Sequence, residues 1–440
     1  MMIKRIVCSL LLINSNNFHF IKYRQNSSME RLNTISNQIS NKQSHQEFLI
    51  INELPYQKVL VELNSTSRNN AINTQMSKQL MNIVQDPNYK IVILKGTYGK
   101  AFGCGGDVKD LYSYITNADK TLLFDYFLTE FQNNYCYYLL NQMKNCGSIA
   151  IYDGFTIGEA FLLSCYSKIK ICTEKTIIMM PECKNGLVIY TPQYFYGLKN
   201  NIGTYLWMTG EQVKGYGCIR FGLADFYVQS QFLTQMEKEL VLALDINQCK
   251  SICQKYADMS AQFIQYSDNT KLFYYIKDNF ELRYFKDFWN NLLKNADQNT
   301  DLELQKFSLK CLQQINQASR ISIRFNYMLL QMCSLMIETE QFNLLQIKSA
   351  INATFLYKDC IEGLKKAVVQ KTYQPQWTHE SFLDVKDSEL LKIKTTDEFI
   401  QNEKLRVDLL MQIARQMMNR KQSIILQQNY YQLPQIIFDD

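Results

Sequence analysis

The sequence predicts an α/β fold in which repeated ββα units are followed by a mainly helical C-terminal region. Three observations carry this expectation. Apolar runs of strand length recur through the first half, at Lys90 to Lys95, Ser148 to Tyr152 and Lys168 to Cys172. Two of them lead into glycine-containing turns that open helices, Lys100-Ala101-Phe102-Gly103-Cys104-Gly105-Gly106-Asp107 and Asp153-Gly154-Phe155-Thr156-Ile157-Gly158-Glu159-Ala160. From Pro192 onward the chain reads as helices, with wide apolar faces at Leu272 to Leu293 and Ile321 to Ile337 that suit a core.

In chain order, residues Met1 to His45 stand apart. They carry Lys4, Arg5, Lys22, Arg24, Arg31 and Lys42 against the single acid Glu30, so +5 of the formal +6 lies there and the rest is almost neutral. A basic, Ser/Asn-rich, acid-poor leader with Ile6 to Ile13 as its apolar side reads as a mitochondrial presequence. A secretory signal is the runner-up, weakened because no small-residue cleavage site follows Ile13. No later stretch is long and apolar enough to span a bilayer. A first domain is expected over 46–230, a helical region over 231–397, and an added helix and tail over 398–440.

Strands at Glu47 to Asn52 and Lys58 to Leu63 precede an Asn-rich turn and an amphipathic helix from Thr74 to Gln85. Asp107 is placed to cap the helix after the first glycine turn, leaving backbone N–H groups directed at open space. The second turn repeats this arrangement before the helix Gly158 to Ser164. Two converging N–H donors form an oxyanion hole, the device that stabilises charge growing on a thioester carbonyl oxygen. Strands Lys168 to Cys172 and Thr176 to Met180 lead to a third landmark, Met180-Pro181-Glu182-Cys183-Lys184-Asn185-Gly186-Leu187.

Past Asp397 a helix is expected over Phe399 to Gln427. Leu405, Leu409, Ile413 and Met417 repeat at i, i+4, with five cations on other faces. It either seeks a partner surface or folds on its own domain. The thirteen cysteines include no C-x-x-C pair and read as free buried thiols. The three histidines, His19, His45 and His379, lie outside the glycine turns, so neither a His-dependent triad nor a His-ligated metal is expected there.

The K-A-F-x-x-G-G-D and M-P-E-x-x-x-G-L elements, Leu206-Trp207-Met208-Thr209-Gly210 and Gly222-Leu223-Ala224-Asp225 together resemble the crotonase (enoyl-CoA hydratase/isomerase) superfamily over Phe48 to Trp377. Asp359-Cys360-Ile361-Glu362-Gly363-Leu364-Lys365-Lys366-Ala367 and Pro375-Gln376-Trp377 resemble the signature of its 3-hydroxyisobutyryl-CoA hydrolase branch. The resemblance implies a crotonase spiral, an acyl-CoA thioester ligand, and oxyanion-hole N–H groups at Gly106 and Glu159. It also implies site carboxylates at 134, 182 and 190, of which only Glu182 remains; Asn134 and Tyr190 replace the other two. At 159 a Glu stands for the middle glycine of the family's G-G-G, beside the developing oxyanion, and the hydratase Glu position carries Leu162. The Arg-Pro-Lys that meets the coenzyme A phosphates is here Ser65-Thr66-Ser67.

Glu182 without its partners is therefore expected to be vestigial, a turn-bonding group. The sequence reads as a catalytically degraded hydrolase-like protein of the mitochondrial matrix with no cofactor. One branch of the family resembles a mitochondrial ribosome small-subunit protein, so the implied partners are mitochondrial ribosomal proteins, with rRNA met through local basic patches. The alternative is an active mitochondrial acyl-CoA thioester hydrolase of valine degradation, with a coenzyme A thioester as ligand.

Overall fold

The computed structural model describes residues 44–45, 48–97, 100–189, 191–264, 270–282, 284–333, 358–394, 412, 415–416 and 418–423. Strands β1 (Ser44–His45), β2 (Leu49–Leu54) and β3 (Lys58–Leu63) form an antiparallel meander. The turn between β2 and β3 places Tyr56 and Gln57 at φ 61° and 56°. β4 (Ile91–Gly96), β6 (Gly147–Tyr152), β8 (Ile169–Cys172) and β11 (Phe226–Tyr227) then add in parallel, giving the order β1-β2-β3-β4-β6-β8-β11. A second sheet holds β5 (Ala101–Cys104), β7 (Phe155–Ile157), β9 (Ile177–Met179) and the short β10 (Val213–Lys214), in the order β10-β9-β7-β5. Successive strands thus alternate between two sheets, which is the expected spiral of ββα turns. The compact unit starts at Ser44, so Ser44 and His45, assigned above to the leader, pair with β2 instead.

Local chemistry sets the helices. In α1 (Thr74–Gln85), Asn73 caps the N-terminus by accepting from the Met76 N–H at 2.9 Å, and Met76, Leu80, Ile83 and Val84 face the core. α2 (Val108–Thr116) is capped by Asp107. α3 (Lys120–Gln142) is buried around almost its whole girth, packing on α1 and on α4 (Glu159–Ser164), so it has no amphipathic stripe. All six residues of β6 are buried, as expected for a parallel strand covered on both faces.

The second half is helical as expected: α5 (Pro192–Tyr196), α6 (Ile202–Thr209), α7 (Gly217–Arg220), α8 (Leu233–Leu242), α9 (Ile246–Ser260), α10 (Thr270–Asn279), α11 (Phe285–Gln298), α12 (Leu302–Asn316), α13 (Arg320–Cys333), α14 (Asp359–Val368) and α15 (Asp387–Lys394). Leu272 to Leu293 is not one segment, because α10 ends at Asn279 and Phe280 turns fully into the core before α11. Most of the expected terminal helix, Phe399 to Gln427, falls outside the described residues. Its described part is helical and folds onto the body: Met418 is buried, Lys421 Nζ donates to the Val84 carbonyl, and Arg415 Nη2 donates to Tyr135 Oη at 2.9 Å.

Candidate active site

Three turns at the ends of β5, β7 and β9 converge on one point. In the first, Gly105 takes φ +89°, Ile72 N–H donates to its carbonyl at 2.8 Å, and Asp107 N–H donates to Ile72 O at 2.8 Å. The Gly106 N–H between them makes no backbone hydrogen bond among the described residues. Asp107 accepts from Lys109 N–H at 3.0 Å and also pairs with Arg68, which reaches Asp110 at 3.4 Å. Arg68 directly follows Ser65-Thr66-Ser67, but its charge is already committed to two aspartates.

In the second turn Gly158, at φ +52°, donates its N–H to Met179 O at 3.0 Å, and α4 opens at Glu159. The Glu159 N–H belongs to the first turn of that helix, where no intrahelical acceptor exists. Gly106 and Glu159 both line the same cavity. In the third turn Glu182 opens a 3₁₀ segment whose carbonyl accepts from Leu187 N–H at 3.0 Å, and Glu182 Oε1 packs on Gly158 where a Cβ would lie 2.5 Å away.

The structure brings three carboxyl groups to this point, Glu130 joining the expected Glu159 and Glu182. Glu130 and Glu159 are 3 % and 5 % exposed, and Glu182 is half-buried with Oε2 shut off from solvent. Glu130 comes from α3, exactly one turn before Asn134 in the sense of i and i+4, and Tyr126 hydrogen-bonds to it. Asn134 Nδ2 donates to Glu159 Oε2 at 3.3 Å. Glu130 Oε1, Glu159 Oε1 and Glu182 Oε2 have no hydrogen-bond partner among the described residues. Tyr190 lies outside the described residues.

Burial dominates the electrostatics. It pushes the carboxyls of Glu130 and Glu182 up to about 8, with Glu182 adding to the rise at Glu130. Glu159 is raised well above the usual range by burial and then by Glu130. All three shifts favour the neutral acid. Bonded to the Asn134 amide, the Glu159 carboxyl obstructs the site by the space it occupies as well as by any charge it carries. The remaining cavity is about 80 Å³, around half of the ~150 Å³ that admits a benzene ring.

Glu130 was not foreseen in the sequence. It matches no motif, and only the 3.6-residue period of a helix running through Asn134 would have put it on the same face.

The two signature carboxylates near the C-terminus are structural. Asp359 is fully buried and accepts from Thr378 N–H at 2.7 Å, Thr378 Oγ1 at 2.6 Å and Ser319 Oγ at 2.6 Å. Glu362 accepts from Tyr373 Oη at 2.5 Å and Gln376 N–H at 2.8 Å. Gly363 lies against the Asn185 backbone, where a Cβ would stand 2.4 Å or less from its carbonyl group, and Gly186 lies against the Asp359 backbone. Helix α14 thus clasps the turn that carries Glu182.

A two-sheet spiral whose strand ends bring two glycine turns and acidic side chains to one cavity defines a crotonase-type fold. The chain belongs to the enoyl-CoA hydratase/isomerase family, whose profile matches residues 58–393. Within the crotonase superfamily it falls beside the 3-hydroxyisobutyryl-CoA hydrolases. It is 27 % identical over 339 residues to mitochondrial 3-hydroxyisobutyryl-CoA hydrolase of Mus musculus, covering 75 % of this chain and 84 % of that protein. To the enzyme of the same description from Dictyostelium discoideum it is 28 % identical over 386 residues, covering 79 % and 93 %. Among solved structures, a carnitinyl-CoA dehydratase from Mycobacterium thermoresistibile superposes with a TM-score of 0.68 at 16 % identity, covering 80 % of this chain and 98 % of that one. That likeness speaks to the fold.

Proposed function

We propose that this chain is a hydrolase-like protein that no longer hydrolyses acyl-CoA and serves a structural role in the mitochondrion, as a component of the small subunit of the mitochondrial ribosome. The observation that carries the loss of activity is the filled site: Asn134 and Glu159 hydrogen-bond across it, and the cavity left beside Glu130 and Glu182 is about 80 Å³. Placement in the mitochondrion draws on the basic leader and on the mitochondrial relatives. The ribosomal role draws on the family resemblance, and Arg68, which follows Ser65-Thr66-Ser67, is held by Asp107 and Asp110.

A second reading is an active mitochondrial acyl-CoA thioester hydrolase. Glu182 keeps its place, and Glu130 supplies a second acid one helical turn from the replaced Asn134.

Two measurements decide. The purified chain is assayed on 3-hydroxyisobutyryl-CoA; a turnover number in the ordinary enzyme range of about 1–10³ s⁻¹ would establish the second reading. Mitochondrial lysate is resolved on a sucrose gradient; co-migration with the small ribosomal subunit is expected, and migration with soluble matrix enzymes would overturn the ribosomal assignment.

A further inference from the structure

Three lysines from separate elements cluster beside the turn that carries Glu182. Lys184 lies in the 3₁₀ segment of that turn, Lys310 on α12, and Lys366 on α14, about one turn beyond the Gly363 that packs on Asn185. Lys184 reaches the C-terminal end of α6, where a Cβ on Gly210 would lie 3.4 Å from its Nζ. The carboxylate of the next residue, Glu211, is already engaged. Its Oε2 accepts from Lys310 Nζ at 2.5 Å and from Gln314 Nε2 at 2.7 Å, and its Oε1 accepts from the Gln212 N–H at 3.2 Å.

Lys184 and Lys366 make no ion pair or side-chain hydrogen bond among the described residues. Burial, and after it the ammonium groups of Lys310 and Lys366, push Lys184 below the ordinary lysine range against the opposing pull of Glu211 and Cys183. A half-buried cation held beside two others is costly until an anion joins it. Lysines are point charges on flexible stems, so three of them arriving from different elements suit the several oxygens of a phosphate, whereas a lone carboxylate is better matched by the planar fork of an arginine. We propose that Lys184, Lys310 and Lys366 form a binding site for phosphate groups of an RNA backbone. The choice of RNA rests on the ribosomal reading above; the cation cluster does not.

Fluorescence anisotropy of the full chain with a labelled single-stranded oligouridylate, repeated over a range of salt, tests the site. Lys184→Gln and Lys366→Gln should each reduce the steepness of log Kd against log salt by about 0.7, the share of one phosphate contact on a single strand, and weaken binding about fivefold at ~0.1 M salt. Lys250→Gln, on the exposed side of α9 and outside the cluster, should change neither, and the basic leader adds the same share to the slope in every variant. Neither cluster substitution removes a hydrogen bond, so both variants should melt no lower than the parent; if Lys184→Gln does melt lower, Lys366→Gln decides alone. Absence of saturable binding, a slope unchanged in the cluster variants, or displacement of the RNA by poly-glutamate as readily as by unlabelled RNA would each overturn the assignment, the last in favour of an acidic peptide. The two readings fail separately. Lysine-dependent RNA binding by a chain that stays with soluble matrix enzymes on the sucrose gradient would remove the ribosome and keep the site, whereas co-migration with the small subunit alongside unchanged slopes would remove the site and keep the ribosome.

Discussion

The side-chain amide of Asn134 donates to Glu159 Oε2 at 3.3 Å, joining the middle of α3 to the first residue of α4. By the family resemblance, the carboxyl belongs on the helix and a glycine belongs in the turn. Here the carboxyl stands in the turn and an amide faces it from the helix, so the same pair of positions still meets with its chemistry exchanged. Glu159 fills the space above the turn, and Glu130 packs on Gly106 from the neighbouring turn of α3.

Reversing that exchange tests the closure. Asn134→Glu, Glu159→Gly and Tyr190→Asp together should raise thioesterase activity above that of the parent, whereas single changes should do little because residues acting as a unit are strongly non-additive. No gain in a triple variant that melts like the parent would show that the altered residues are not what closes the site.

The raised carboxyls of Glu130 and Glu182 make stability depend on pH. Between about 4.5 and 8 the folded chain holds protons at Glu130 and Glu182 that the unfolded chain releases, so these groups make stability fall as pH rises through that window. Lys58 and Lys421, lowered to about 8 by burial, act in the opposite sense from there to 10.5, where only the unfolded chain is charged. Glu130→Gln should flatten the decline in melting temperature between pH 5 and 8. An unchanged slope would mean that Glu130 ionises normally in the folded chain.

Gly363→Ala should destabilise by at least about 2 kcal/mol, since a methyl group there meets backbone atoms that no side-chain rotation can clear. Urea denaturation measures it. A shift below about 0.5 kcal/mol would indicate that α14 and the Glu182 turn are less closely apposed.

Lys421→Ala should lower the melting temperature, because the buried Nζ donates to a carbonyl near the C-terminus of α1. Deleting the chain after Lys394 should do so too. This follows the second of the two alternatives, a helix folded on its own domain, and an unaltered melt of the deletion would favour the partner-seeking one.

The legible part of this chain is the part governed by short-range chemistry. Lys58–Leu63 and Thr74–Gln85 match their expected bounds, and Asp107 caps its helix, because alternation, periodicity and capping act within a few residues. α3 was less legible: it is buried nearly all round, so no amphipathic stripe marks it, and Glu130 within it carries no motif. The role of Asp359 and Glu362 was hidden for another reason. Their partners, Ser319, Thr378 and Tyr373, are set by tertiary packing rather than by spacing.

The grip of the C-terminal helices on the Glu182 turn has a consequence for dividing the molecule. Besides the Gly363 contact, Ser319 N–H donates to Cys183 O at 3.0 Å, and Asn326 accepts from Ile189 N–H at 3.0 Å. Cut near residue 230, the strand-rich fragment would present this loop with its backbone groups unanswered, and the helical fragment would present the cleft that receives it. The two pieces are therefore expected to behave as halves of a lock, poorly soluble when expressed alone and recovering a cooperative melt when refolded together.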